Sequence, residues 1–270
     1  VSRGGLEIEG VGHIRCDMLA PDALAELPDA PNVYYLAARK FGSTDAPEET
    51  WAANVLLPGL VAQRYRASRI VSFSTGNVYP LVPVESGGAS EDTPIGPVGE
   101  YAWSAAGRER MFEYAARAYG TRVTLLRLNY ACELRYGVLV DLAAKILRGE
   151  AIDLSMGYVN VIWQGDANSV CFRSLGHCAA PPFVLNLTGE ETLAVRDLAE
   201  RLAQRLGRPA VFQGEPAPTA LLNNAARCHK LLGPPAVGVA QMIDWVAEWM
   251  REGGRLLGKP TKFQVRDGRF

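Results

Sequence analysis

The chain lacks any long run of like charge. Its 28 Lys and Arg nearly balance 29 Asp and Glu, for a formal net charge of −1. A phosphate backbone or an anionic membrane surface therefore has no electrostatic footprint to meet, and no nucleic-acid partner is expected. No apolar stretch approaches the roughly 18 residues of a spanning helix, so no membrane partner is expected either. The opening Val1-Ser2-Arg3-Gly4-Gly5 has neither the apolar segment of a signal peptide nor an initiator Met, and the chain reads as truncated at its start. Cysteine is scarce and irregular: Cys16, Cys132, Cys171, Cys178 and Cys228 form no repeated spacing. That argues against a disulfide framework and a metal centre, and for a reducing, cytoplasmic setting. There is no internal repeat and no low-complexity segment.

What is present suits a globular enzyme. The 270 residues are 48% hydrophobic and 21% charged, enough for a large core. Short apolar runs at 33–37, 69–74, 121–128 and 183–187 read as buried strands. Between and after them, helical spacing marks 50–65, 101–119, 138–148, 166–175, 193–206 and 239–250. Pro58 is expected to kink the first of these or to set its first turn. Gly120 suits a helix C-terminus, and Asp166 suits a helix start. Residues 151–154 and 159–163 read as further short strands. The alternation predicts βαβ units in a parallel sheet. The tail, 253–270, has weak periodicity and is expected to be loose or docked on the surface. The five tryptophans, without basic residues between them, read as core or interface rather than base-stacking platforms.

Two segments carry the chemistry. Ser74-Thr75-Gly76-Asn77-Val78-Tyr79 ends a β-branched run, and Glu100-Tyr101-Ala102-Trp103-Ser104-Ala105 opens a helix. Together they resemble the catalytic Ser/Thr and the Tyr-x-x-x-Lys motif of the extended short-chain dehydrogenases/reductases, the nicotinamide-dependent epimerase/dehydratase family. Weaker pieces follow in the right order. They are Cys16-Asp17-Met18, Leu36-Ala37-Ala38, Asn54, Arg127-Leu128-Asn129-Tyr130, Asn160 to Ala167, Leu185 to Gly189, and Leu231-Leu232-Gly233. The resemblance runs from about His13 to Trp249.

It implies a Rossmann-like doubly wound α/β fold whose first strand is missing, with a small substrate lobe. Residues 1–130 would form the nucleotide-binding region, 131–252 would complete the sheet and bind substrate, and 253–270 would be a tail. The cofactor would be NAD or NADP, with NAD favoured. The substrate would be a sugar or nucleotide-sugar oxidised at a hydroxyl/carbonyl carbon, and the assembly a homodimer through helices around Val55 and Phe112, with Leu56, Leu60, Met111 and Ala115 in the seam. A second reading is a non-catalytic cofactor-binding sensor or scaffold.

Residue by residue, the resemblance makes Thr75 and Tyr101 catalytic. Asp17, Met18, Leu36, Ala37, Ala38, Asn54, Ser74 and Tyr101 would contact cofactor, and Thr75, Gly76, Asn77 and Asn129 would contact substrate. Two departures stand out. The glycine-rich turn that lets a backbone approach a pyrophosphate is absent. Ala105 also occupies the lysine position. A phenol ionises at roughly pH 10 and needs a nearby cation to act as a base near neutrality. Arg108 shares a helix face with Tyr101 and Ala105 at i+7, so it is the candidate substitute, and Ala105→Lys is expected to raise turnover. Asn77 replaces the acidic residue of dehydratases, which argues against 4,6-dehydration.

Overall fold

The computed structural model describes residues 1–5 and 8–269. Four strands form its main sheet: β1 (Asn32–Tyr35), β2 (Arg69–Thr75), β3 (Arg122–Leu128) and β4 (Phe183–Leu187). They lie side by side in that order, all parallel. Ile70 pairs with Val123, and Leu125 with Val184, so the two runs expected to be neighbours are neighbours.

Both faces of the sheet are covered, which is why its strands read as near-continuous apolar runs. Alternate residues serve opposite cores. Ile70, Val123 and Leu125 face Leu57, Val61, Phe112 and Ala115. Val71, Leu126 and Leu185 face Val170, Cys171 and Cys228.

Helices α1 (Pro47–Trp51) and α2 (Leu57–Arg64) are joined by a π-helical turn, Ala52–Leu56. Pro58 lies in the first turn of α2, the second of its two expected places. The Leu57 N–H reaches back five residues to the Ala52 carbonyl, and this widened turn relieves the ring of Pro58 while the helix continues. Helix α3 (Gly99–Tyr119) ends at Gly120 in the left-handed conformation, as expected.

Helix α4 (Val138–Arg148) matches its expected range. Helix α5 (Gln164–Arg173) starts two residues early and gives way to a 3₁₀ turn, Ser174–His177. Helix α6 (Val195–Leu206) begins two residues late, because Leu193–Ala194 pairs instead with Tyr158–Val159. The single strand expected over 159–163 is therefore two short ones, the second being Ile162–Trp163.

Helix α7 (Ala226–Leu232) was not legible in the sequence, being two turns long; α8 (Val239–Arg251) was. Helices α4, α6 and α8 pack on one another around Leu139, Leu142, Leu198, Leu202 and Ile243. The tail is not loose. Phe263 is buried in that same core, and Thr261 is 2% exposed. Among the described residues no helix is long and apolar enough to cross a membrane.

Candidate active site

The carboxyl ends of β1, β2 and β3 lie at one edge of the sheet, where parallel α/β folds leave a crevice. Thr75 closes β2. Its Oγ1 accepts from the Asn77 N–H at 3.2 Å and donates to Asn77 Oδ1 at 3.1 Å, capping the 3₁₀ turn Gly76–Val78. Helix α3 packs on that turn, with Ala105 and Ala106 in one cluster with Val78 and Tyr79. The turn of Thr75 and the helix of Tyr101 are thereby brought together. A Cβ at Gly76 would sit 2.7 Å from the side-chain amide of Asn223, which would have to shift. Asn77 lines a cleft with Tyr79, Val98, Tyr130, Leu221 and Arg266.

Under this edge runs a buried polar network. Arg127 grips Glu109 with two hydrogen bonds of 3.0 and 2.7 Å, and both side chains are almost fully buried. Arg127 also donates to the Tyr79 hydroxyl at 2.7 Å, which donates to Asn186 Oδ1 at 2.8 Å. The Ser74 hydroxyl donates to Glu109 at 2.5 Å. Burial alone would lower the Arg127 pKa, but bonding to Glu109 and Tyr79 outweighs it and the pKa is raised. Burial pushes the Tyr79 phenol up, against the pull of Arg127. The Ser74 side chain is thus turned away from the crevice and into the core.

Asn54 shows the same pattern. The π turn points it inward, fully buried. Its Oδ1 accepts from the Arg39 N–H and from Arg108. Its Nδ2 donates to the Arg39 carbonyl and to Ser104. With both ends of the amide engaged, Asn54 clamps the loop after β1 to α3. Asn129 is 2% exposed, and its Nδ2 donates to the Leu221 carbonyl. This bond ties the end of β3 to the chain around Leu221. Tyr130 follows it with φ 40°, a left-handed turn that aims the chain away from the sheet.

Arg108 is inside, not on the surface. It donates to the Phe73 carbonyl and to Asn54, and its Nε is buried without a partner. Burial lowers its pKa, opposed by Tyr101, Tyr35 and Glu109. Ala105 is fully buried.

The family model for the NAD dependent epimerase/dehydratase family matches residues 5–155. The chain belongs to that family. Solved structures of the same fold include the UDP-glucose 4-epimerase of Thermus thermophilus with NAD, at 20% identity and a TM-score of 0.77, covering 91% of this chain and 86% of that one. RMD from Pseudomonas aeruginosa with NADPH gives 23% and 0.75, covering 88% of each chain. UDP-glucuronic acid 4-epimerase from Bacillus cereus with NAD gives 18% and 0.76, covering 88% and 78%. At these identities the likeness establishes the fold. No curated protein matches the chain.

Within this family fold, Leu36, Ala37 and Ala38 leave the end of β1, with Leu36 61% exposed. Met18 packs against the core beside β1, while Asp17 is exposed and accepts from the Leu19 N–H. Among the described residues no strand precedes β1 in the sheet, and no glycine-rich turn leads from a strand into a helix beside it. Sequence reasoning missed Lys40, whose ammonium lies over the Tyr101 ring at 5.8 Å from its centre. It also missed the course of the tail, which brings Arg266 and Gly268 into the cleft wall. The only signal for Lys40 was its position two residues after the Leu36-Ala37-Ala38 turn.

Proposed function

We propose that the chain is an oxidoreductase or epimerase-type enzyme that uses NAD or NADP on a hydroxyl/carbonyl carbon of a sugar, with a nucleotide-sugar the favoured substrate. The observation that supports this reading is the packing of α3, the helix that carries Tyr101, on the turn after Thr75 at the carboxyl end of β2. The described residues fit the nicotinamide end of a dinucleotide: a small-residue turn at Ala37–Ala38, a phenol at Tyr101 and a cation at Lys40. They do not fit its pyrophosphate end, which needs a backbone cradle at a helix N-terminus. When bound, the cofactor supplies hydride transfer.

The chain's own residues do the proton work. Thr75 Oγ1 exchanges its Asn77 partner for the substrate oxygen and holds it. Tyr101 takes or returns that oxygen's proton at its hydroxyl. Arg108, buried beneath the site, adds fixed positive charge through a low-dielectric path. Tyr101→Phe should cut kcat by about 10²–10⁴-fold, the usual worth of a general acid/base, with cofactor affinity kept. Single-turnover rates on a UDP-sugar panel, with cofactor titrated separately, check this. Loss of less than fivefold would remove Tyr101 from the chemistry.

The second reading, a non-catalytic module, is favoured by one observation: the tail lines the cleft and docks Gly268 against Gly99, so closely that a Cβ on Gly99 would lie 2.3 Å from the Gly268 carbonyl. Cofactor binding without turnover, both in the full chain and after removal of the tail, would decide for it.

The homodimer and the division near residue 130 belong to the same reading. Trp51, Leu56, Leu60, Trp103 and Tyr114 are exposed along α1 to α3 and support a seam there. Ala115 leaves the expected seam, being 1% exposed in the core. The double variant Leu56→Glu, Trp103→Glu should halve the mass seen by light scattering at micromolar concentration. An unchanged mass would move the interface elsewhere. The separate core of α4, α6 and α8 supports a lobe within 131–252.

A further inference from the structure

A phenol serves as a base near neutral pH only where a cation favours its ionised form. One helical turn on from Tyr101, position 105 offers a buried methyl group. Lys40 brings a cation from another part of the fold. It leaves the loop after β1 and holds its Nζ within cation–π range of the Tyr101 ring.

That position is built, not incidental. The ammonium donates to the Thr261 carbonyl at 3.2 Å. Thr261 is fixed in turn by Asp141 of α4, whose Oδ2 accepts from the Thr261 N–H at 2.7 Å and from its Oγ1 at 2.5 Å. Two residues further on, Phe263 is anchored in the core. On the other side, Asn54 pins the backbone of Arg39, the residue before Lys40, through two hydrogen bonds. The loop after β1, α3, α4 and the tail thus meet at one ammonium.

We propose that Lys40, seated by Thr261 of the C-terminal tail, is the cation that supports proton transfer by Tyr101, in place of a lysine on the tyrosine's own helix. This inference rests on the reading of Tyr101 as the proton-transfer group. Lys40 keeps its proton throughout; the substrate hydroxyl proton passes to the phenolate oxygen and returns from it. The tail becomes part of the active site, because its Thr261 carbonyl accepts from the Lys40 ammonium.

Among the described residues, the groups facing Lys40 include Tyr101 on α3, Asp141 on α4, Lys262 on the tail and Phe41 beside it in its own loop, with Tyr136 edge-on to Phe41 and Lys259 over its ring. Burial lowers its pKa to about 8; Asp141 opposes the shift and Lys262 adds to it. The ammonium therefore gives way to the neutral amine as pH rises through about 8. Its support for Tyr101 should fade on the alkaline side of that point. Arg108 cannot produce such a limb, because a guanidinium keeps its proton throughout this range.

The test uses the full chain with tyrosine labelled by carbon-13 at the ring Cζ, the Tyr101 resonance being assigned by its loss in Tyr101→Phe. Without substrate, the fraction of Tyr101 ionised below pH 8, where Lys40 is charged, should be lower in Lys40→Met than in the unaltered chain. Lys40→Arg should restore it. Lys40→Gln repeats the measurement should the methionine variant fail to fold. An unchanged titration in a folded, neutral variant overturns the proposal. Turnover gives the second arm: the alkaline limb near pH 8 should move upward in Lys40→Arg. If neither cofactor binding nor turnover is found, the reading of the site fails, while the resonance still judges Lys40.

Discussion

Arg127→Met should lower the unfolding free energy by about 3–5 kcal/mol, the cost of leaving one partner of a buried ion pair uncompensated. In the native chain the Glu109 carboxylate accepts two hydrogen bonds from Arg127 and one from Ser74, with almost no solvent contact. Methionine fills a similar volume but leaves Glu109 with Ser74 alone. It also strips the Tyr79 hydroxyl of the donor that faces it. Glu109→Leu alone should cost a comparable amount, by stranding the guanidinium. The double variant should recover at least half of the summed loss, because a well-packed apolar pair of that size is often as stable as a buried ion pair. Guanidinium denaturation of the four proteins closes the cycle. A single-variant cost below about 1 kcal/mol would mean that water reaches Glu109.

Ala105→Lys should destabilise the fold on the order of 4 kcal/mol rather than raise turnover. The expectation of rescue came from the motif alone. In the fold, Ala105 has no solvent contact and shares a cluster with Val78, Tyr79, Ala106 and Leu222. A four-carbon stem would overpack this cluster, and its ammonium would lose its hydration. The sign with pH is fixed. A lysine buried here has its folded pKa lowered below the unfolded value of roughly 10.4. Folding then releases a proton, and the deficit relative to the parent shrinks as pH rises toward 10. Denaturation midpoints at pH 7 and 9.5 check both magnitude and slope. Equal stability of variant and parent at pH 7 would show that the cleft opens onto residue 105.

Local pattern was enough wherever one element could satisfy itself. Helix α4 and strand β4 fall on their expected residues, because each carries an uninterrupted apolar period and clear ends. The Thr75 and Tyr101 segments were legible through their resemblance to the family's Ser/Thr and Tyr-x-x-x-Lys motifs. Pattern failed where a backbone group found a distant partner. Leu193–Ala194 left its helix to pair with Tyr158–Val159. Asn54 faces inward because the turn around it opens to a π-helix, which no spacing rule foresees.

The sequence by itself determined the alternation of strands and helices and the parallel sheet. These follow from hydrophobic period and turn residues, which act over a few positions. Which cation attends the phenol was decided only by tertiary structure. Arg108, close along the helix, is drawn beneath the site by Asn54 and the Phe73 carbonyl. Lys40, 61 residues before Tyr101 in the chain, is held over its ring by a carbonyl from residue 261. Electrostatic influence depends on distance in space and on burial, and neither is a property of separation along the chain.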